Sequence, residues 1–262
     1  MSARSRNVSI PAWSAVIVLL AAIVTPVARA ADGDTLPDGF VFLRDVAPDI
    51  EQDMRYASVR NFTSRPVSGY AAAECVLTRA TARALGDVQK ALAGSGFALK
   101  VYDCYRPARA TAAFMDWIRT PDRGEDTRRY HPNVERSKLA DAGYISRTSS
   151  HSAGNTVDLT LVRREAGSDG AKAAQDQCGS EPDGSVDMGT GFDCFDVLSH
   201  ASAAGLSRAQ RKARRILSDA MRARGFRGYA KEWWHFSYDR EPRGPLRNFA
   251  IPARTPAAAG RK

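Results

Sequence analysis

The order of apolar and polar residues predicts helices and short strands that alternate irregularly along the chain. Between residues 79 and 93, Leu85, Val88 and Leu92 recur at helical spacing. The sequence GSG at 94–96 supplies the glycines that commonly end a helix. This part of the chain therefore predicts a helix followed by a turn.

Two further apolar segments predict strands. FALKVYDCY (97–105) alternates apolar and polar residues, and TVDLTLV (156–162) is short and rich in β-branched residues. Between them, RPARATAAFMDWI (106–118) places Pro107 where the first turn of a helix is expected. The polar segment at 120–142 is interpreted as mostly loop.

The clearest apolar stripe predicts a helix over residues 207–224. Ser207 is a plausible N-cap, Gly225 ends the pattern, and KEWWHFSY (231–238) follows as a predicted strand. The irregular alternation of helices and strands favours an α+β fold, with one compact domain and a small, mainly antiparallel sheet packed with helices. The stripe consists of Ala209, Ala213, Ile216, Leu217, Ala220 and Met221.

The N-terminal segment has the three parts of a secretory signal peptide. Arg4 and Arg6 precede an apolar run at 15–24, and the sequence ARA ends at Ala30 as a cleavage site. The alternative is a membrane anchor, which needs roughly 20 apolar residues, about twice the length of this run. We therefore predict a signal peptide over 1–30, Sec-type export to the periplasm or the medium, and no stable membrane insertion after cleavage.

The rest of the chain is predicted to form one domain over 31–251, with a hydrophilic surface insertion at 164–187 and a disordered tail at 252–262. The net charge of the 262 residues is +9. Nucleic-acid binding would require basic residues that cluster among aromatic ones. The densest basic run, SRAQRKARR (207–215), lies on the polar side of a predicted helix and is interpreted as a solvated face. No nucleic-acid partner is predicted.

The four cysteines all lie in the part predicted to be exported. An even number of cysteines in an oxidising compartment predicts two disulfides. Of the three possible pairings we favour the sequential one, Cys75 with Cys104 and Cys178 with Cys194, because the second bond would hold the polar insertion. The sequence leaves the other two pairings open.

Among the four histidines, His151 has the most informative context. His131 precedes a proline in a loop and His200 closes the sequence VLSH, so each is interpreted as structural or surface. His151 precedes Asp158 by seven residues, and the Gly-Asn pair at 154–155 can turn the chain back between them. The aspartate interrupts an apolar strand, so its carboxylate is expected to be paired, hydrogen-bonded or bound to a metal.

The segment KEWWHF adds Glu232, three residues before His235. Together, His151, Asp158 and His235 form a three-ligand set for zinc that leaves a fourth position for water. Glu232 is the candidate general base, because it lies on the same short segment as a ligand. Each motif alone is a weak signal, but both in one chain, each in the context of an apolar strand, favour the metal site.

A further candidate, Arg106, follows the apolar strand in the sequence YDCYRP. A guanidinium that projects into a cleft there would stabilise the negative charge that develops on a carbonyl oxygen during amide hydrolysis. An arginine at the start of a helix on the surface is the alternative, and the sequence leaves both open.

Four motifs in one order resemble the D-alanyl-D-alanine dipeptidases of the VanX type, within the zinc D,D-peptidases. They are DMRYASVRNFTSRPVSGY (53–70), DCYRP (103–107), SSHSAGNTVDLTL (149–161) and EWWHF (232–236). The match runs discontinuously over most of the chain. Cys104 departs from the glycine that is frequent in the family, and the insertion is longer than the family leads us to expect.

The resemblance implies a compact zinc D,D-peptidase (hedgehog-like) fold with a confined pocket and one Zn²⁺ per chain. It also implies a role for each candidate: His151, Asp158 and His235 as metal ligands, Glu232 as base, Arg106 at the oxyanion, and Tyr56, Ser149 and Asp193 in substrate binding, with Asp193 facing the ammonium group.

The function expected from these residues is hydrolysis of the small dipeptide D-Ala-D-Ala. Two alternatives stay open: a D,D-carboxypeptidase that acts on peptidoglycan stem peptides, and a non-catalytic zinc-containing module that binds a cell-wall peptide. The second is disfavoured because a binding module needs no base beside a metal ligand. The insertion is interpreted as a surface loop, with a cover over the mouth of the pocket as the other possibility.

Overall fold

A computed structural model of the chain describes residues 35–121, 126–164 and 178–255. These residues belong to one compact unit that begins at Asp32. The predicted signal peptide, residues 165–177 of the insertion and the end of the tail from 256 lie outside the described residues. No helix in the described part is long and apolar enough to cross a membrane.

A five-stranded sheet forms the centre of the fold, in the order β2-β4-β5-β7-β6. The first pair is parallel and the other three are antiparallel, so the prediction of a mainly antiparallel sheet in an α+β fold is confirmed. The strands β1 and β3 form a separate antiparallel pair. The strands are β1 (Phe40–Phe42), β2 (Glu51–Gln52), β3 (Val76–Thr78), β4 (Phe97–Asp103), β5 (Thr156–Arg163), β6 (Phe226–Tyr229) and β7 (Glu232–Tyr238).

The helices agree closely with the sequence pattern. Helix α2 spans the predicted residues, and the side chain of Ser207 caps α4 in a capping box with Gln210, as the N-cap prediction requires. Pro107 lies at the N-cap of α3, one position before the predicted first turn. The helices are α1 (Leu43–Val46), α2 (Arg79–Ala93), α3 (Ala108–Arg119) and α4 (Arg208–Ala223).

Aromatic side chains fill the core beside the site described below. The ring of Phe62 lies 4.8 Å from that of Phe114, 4.9 Å from that of Trp117 and 5.0 Å from that of Phe195. Tyr56 packs on Phe114 at 4.9 Å. Large buried rings of this kind leave little freedom to their neighbours, so Tyr56 is held firmly at the edge of the core.

The cysteines lie at bonding distance in the predicted pairs. The Cα atoms of Cys75 and Cys104 are 5.3 Å apart, and those of Cys178 and Cys194 are 5.4 Å apart. In the first pair, Cys75 lies just before β3 and Cys104 just after β4. In the second pair, Cys178 lies within the insertion and Cys194 in the segment at 188–200.

The described end of the insertion lies beside β5, where Ser185 forms an antiparallel bridge with Val162. Asp183 pairs with the buried guanidinium of Arg55 at 2.5 Å and accepts a hydrogen bond from Tyr102 at 2.7 Å. None of residues 178–187 lines the cleft described below, so this part does not cover its mouth. The start of the tail at 252–262, which the sequence predicts to be disordered, is instead held against the fold. Pro252 is buried, and Arg254 pairs with Asp45 at 2.6 Å.

Candidate metal centre

Three side chains converge where β5 and β7 lie side by side. Asp158 on β5 is directly opposite His235 on β7, and the carboxylate Oδ1 lies 3.1 Å from His235 Nδ1. His151 reaches the same point from a short 3₁₀ turn before β5, with its Nε2 3.3 Å from Asp158 Oδ1 and 3.3 Å from His235 Nδ1. The structure thus brings together the three residues predicted to bind a metal.

The donor set fits a tetrahedral zinc ion. Zinc bonds of about 2.0–2.1 Å place neighbouring ligand atoms about 3.3–3.4 Å apart in a tetrahedron, close to the distances between the three ligand atoms. His151 Nδ1 lies 2.7 Å from the carbonyl oxygen of Cys104. A hydrogen bond donated there leaves Nε2 free for a metal. The buried Asp158 Oδ1 accepts no hydrogen bond from the described residues. Burial opposes ionisation of Asp158, yet the two imidazoles lower its pKa below the ordinary range.

Gly154 makes the turn that places His151 beside Asp158. Its φ of 80° is in the left-handed region, and a Cβ atom there would lie 2.3 Å from Cε1 of Phe40. Both the backbone angle and the close approach require glycine. The predicted turn chemistry between the histidine and the aspartate is therefore confirmed.

We expect Gly154→Ala to lower the free energy of unfolding by roughly 2–4 kcal/mol, because it combines backbone strain with overpacking. Gly96→Ala is the matched control, since Gly96 has a φ of 78° but no atom within 4 Å of its virtual Cβ. Urea denaturation of both variants measures the difference. Equal losses would show that contact with Phe40 does not constrain the turn.

Glu232 lies beside the metal ligands as predicted, with Oε2 3.4 Å from His235 Nδ1. Residues three apart on a regular strand face opposite sides of the sheet. Strand β7 is not regular here, because the register of its pairing with β6 shifts between Gly228 and Tyr229. The side chains of Glu232 and His235 both line the same cleft. Burial raises the pKa of Glu232 to about 7, which suits a group that must accept a proton near neutral pH.

Arg106 is held in the cleft wall, so the interpretation as a surface arginine is wrong. Its Nε lies 2.8 Å from Asp103 Oδ2 and its Nη2 3.3 Å from Asp158 Oδ2. The guanidinium also lies over the rings of Tyr56 and Phe114, at 5.2 and 5.1 Å. These contacts fix a permanent positive charge beside the candidate metal site.

The sequence interpretation missed Asp103, which supports the site from behind. It is fully buried at the end of β4, opposite Asp158 on β5, and accepts a hydrogen bond from Tyr70 at 2.6 Å. Its Oδ2 lies 3.5 Å from His151 Nδ1. Asp158 was identified as a carboxylate within an apolar strand, and a search for carboxylates in the apolar strand FALKVYD would have identified Asp103 too.

The substrate-binding candidates line one cleft of about 610 Å³ together with Asp158 and His235. The hydroxyl of Tyr56 donates to Asp193 Oδ2 at 2.9 Å. Ser149 is the N-cap residue of the 3₁₀ turn that carries His151, and it lines the same cleft. Asp193 is buried with a strained φ of 61°, and burial raises the pKa of its carboxyl well above the ordinary value. A strained residue held in a cleft is typical of a functional position.

The two remaining histidines lie outside this cleft, as the sequence interpretation expects. His131 is buried, with Nδ1 3.0 Å from the carbonyl oxygen of Val134. His200 Nε2 lies 3.2 Å from the hydroxyl of Tyr144. Both contacts are structural.

The sequence matches known proteins over most of its length. A family described as D-ala-D-ala dipeptidase matches residues 37–252. The D-alanyl-D-alanine dipeptidase of Enterococcus faecalis is 36% identical over 207 residues, 79% of this chain and 95% of the relative. That of Streptomyces coelicolor is 38% identical over 203 residues, 78% of this chain and 93% of the relative. Among solved structures, a mutant of the vancomycin resistance D,D-pentapeptidase VanY in complex with Zn(II) covers 64% of this chain and 76% of that chain, with 15% identity and a TM-score of 0.34. This chain belongs to the D-alanyl-D-alanine dipeptidase family, whose members are metallopeptidases.

Proposed function

We propose that the chain hydrolyses D-Ala-D-Ala with one zinc ion held by His151, Asp158 and His235. The observation that carries the proposal is the set of three ligand atoms within 4.8 Å of one another, with the carboxylate of Glu232 beside them. A bound zinc ion supplies a Lewis acid that polarises water and the scissile carbonyl. The remaining chemistry belongs to side chains of the cleft.

Glu232 is the proton carrier in this proposal. Its carboxylate accepts a proton from the attacking water and delivers it to the leaving amine. The raised pKa supports this role, because a base of pKa about 7 can both take and release a proton at neutral pH. Because Glu232 lies only three residues before the metal ligand His235 on β7, its carboxylate stays close to the metal site.

Arg106 is proposed to stabilise the negative charge on the carbonyl oxygen. Its guanidinium is fixed by Asp103 and by two aromatic rings, so it needs no reorganisation as charge develops. Preorganised donors of this kind stabilise a transition state more than the ground state.

Asp193 is proposed to bind the free ammonium group of the dipeptide, with Tyr56 and Ser149 completing the pocket. A buried carboxylate with a raised pKa gains an ion pair when a cation arrives. The cleft of about 610 Å³ also lies within the roughly 300–1,000 Å³ that is typical of small-molecule sites.

We also propose that the protein is exported and that its cysteines form the two disulfides there. The N-terminal signal pattern and the approach of the cysteines in pairs support this, since disulfides persist in oxidising compartments. Export favours recovery of D-alanine or wall turnover over glycopeptide resistance, because destruction of precursor dipeptide requires a cytoplasmic enzyme.

The substrate range is tested with purified zinc-loaded protein, D-Ala-D-Ala and a muropeptide stem that ends in D-Ala-D-Ala. We expect free D-alanine from the dipeptide and a kcat/KM for the stem that is lower by at least about tenfold. Cleavage of the stem alone would establish the carboxypeptidase alternative. Cleavage of neither would favour the non-catalytic binding module.

A further inference from the structure

The segment 241–251 after β7 has no helix or strand but is anchored at both ends. We call it the strap. At its start, the Oε1 of Glu241 accepts a hydrogen bond from Thr81 at 2.9 Å. Further on, the backbone N–H of Arg247 donates to the carbonyl oxygen of Ser152 at 2.8 Å, one residue beyond His151. Such anchors hold a segment in place without regular structure.

The end of the strap packs against the core as well. The ring of Phe249 stacks on that of Tyr105, with centroids 4.1 Å apart and an angle of 8° between the planes. The backbone N–H of Ile251 donates to the carbonyl oxygen of Gly69 at 2.9 Å. Between the anchors, residues 243–246 line the catalytic cleft. The strap is therefore a fixed wall of the cleft.

Three arginines line the cleft, and two of them are committed to carboxylates. Arg106 pairs with Asp103 and Asp158, and Arg227 pairs with Asp239 at 2.6 Å. Arg243, on the strap, makes no hydrogen bond or ion pair with any residue that the structure describes. Among the described residues, Arg243 is thus the arginine of the cleft lining whose guanidinium has no carboxylate partner.

Three acidic side chains, Asp158, Asp193 and Glu232, also line the cleft. An ionised carboxylate among them attracts an ammonium group and repels the carboxylate at the other end of a dipeptide. A substrate that carries both charges needs a cation at a distance from the ammonium site. The strap that carries Arg243 is hydrogen-bonded through the backbone of Arg247 to Ser152, beside His151. Asp193 instead accepts a hydrogen bond from Tyr56, so the two charged side chains are carried by different segments of the cleft lining.

We propose that Arg243 binds the C-terminal carboxylate of the substrate and so determines specificity for dipeptides with a free carboxyl group. This inference rests on the proposed function. Arginine suits the task, since its planar guanidinium binds a carboxylate through two parallel hydrogen bonds. The strap positions that guanidinium at the rim, where the substrate can enter and the product amino acid can leave.

The test compares D-Ala-D-Ala with D-Ala-D-Ala amide, which is cut at the same bond but lacks the carboxylate. We expect the wild type to have a KM about tenfold lower for the acid than for the amide. Arg243→Gln should raise the KM for the acid about tenfold and leave the KM for the amide and both kcat values unchanged.

Arg247→Gln is the matched control, because Arg247 is an exposed arginine of the same strap whose side chain lines a different surface pocket. It should keep the preference of the wild type. Since Arg243 is exposed, thermal unfolding of both variants should match that of the wild type. If Arg243→Gln retains the preference for the acid, the inference about Arg243 is overturned while the proposed function stands. If the wild type cleaves neither compound, the proposed function fails and the inference falls with it.

Discussion

Glu232→Gln should lower kcat for D-Ala-D-Ala by roughly 10²–10⁴-fold, the usual contribution of a general base. Glutamine keeps the size of the side chain and its approach to His235 but cannot accept a proton. The ligand atoms of His151, Asp158 and His235 are unchanged, so the zinc content should stay at that of the wild type. Stopped assays of D-alanine release and metal analysis of the same preparation measure both quantities.

Glu51→Gln provides the control for this substitution. Glu51 lies on the edge strand β2, outside the cleft lining. Its side chain is 55% exposed and pairs with Lys100 at 3.1 Å, and its loss of charge should leave turnover unchanged. Activity of Glu232→Gln close to that of the wild type would show that another group accepts the proton. Loss of zinc together with activity would instead place Glu232 among the residues that maintain the metal site.

His151→Ala should weaken zinc binding by more than about 100-fold, since even residues that support metal ligands typically contribute 10–100-fold. The substitution removes one of three ligand atoms, and it also ends the contact between Nδ1 and the carbonyl oxygen of Cys104. Metal analysis after dialysis against a buffered zinc solution measures the loss. Turnover should fall below detection.

His200→Ala is the control, because His200 lies outside the cleft lining. Its ring contacts that of Tyr144. Circular dichroism separates loss of metal from loss of fold. Since His151 is fully buried, His235→Ala, at a partly exposed ligand, provides a second variant. Retention of stoichiometric zinc by either folded ligand variant would contradict the assigned ligand set.

The sequence predicted elements best where apolar residues repeat over several turns. Helices α2 and α4 were predicted nearly to the residue because their stripes and caps agree. Strand β6 was missed because its four residues, FRGY, are mostly exposed and carry no alternating pattern. These residues form a strand because they pair with β7, and this tertiary contact is not visible in the local sequence pattern.

In the candidate site, too, the sequence predicted what depends on local pattern and missed what depends on tertiary contacts. His151 and Asp158 were placed together from the glycine turn between them. The shared side of Glu232 and His235 depends on a register shift that regular strand periodicity does not predict. The sequence left open whether Arg106 lies in a cleft or on the surface. Its pairing with Asp103 depends on the conformation of the turn after β4, which the sequence pattern does not predict. The strap was missed because it has no helix or strand periodicity, and its contacts join residues that lie far apart in the sequence.

The most direct test of the account joins metal content to hydrolysis in one preparation. The protein is freed of metal with a chelator, dialysed, and given zinc in steps while bound zinc and D-alanine release are both measured. The account predicts that activity rises in proportion to bound zinc and saturates at one ion per chain. Full activity of the metal-free protein on D-Ala-D-Ala, or saturation with zinc without any release of D-alanine, would contradict it.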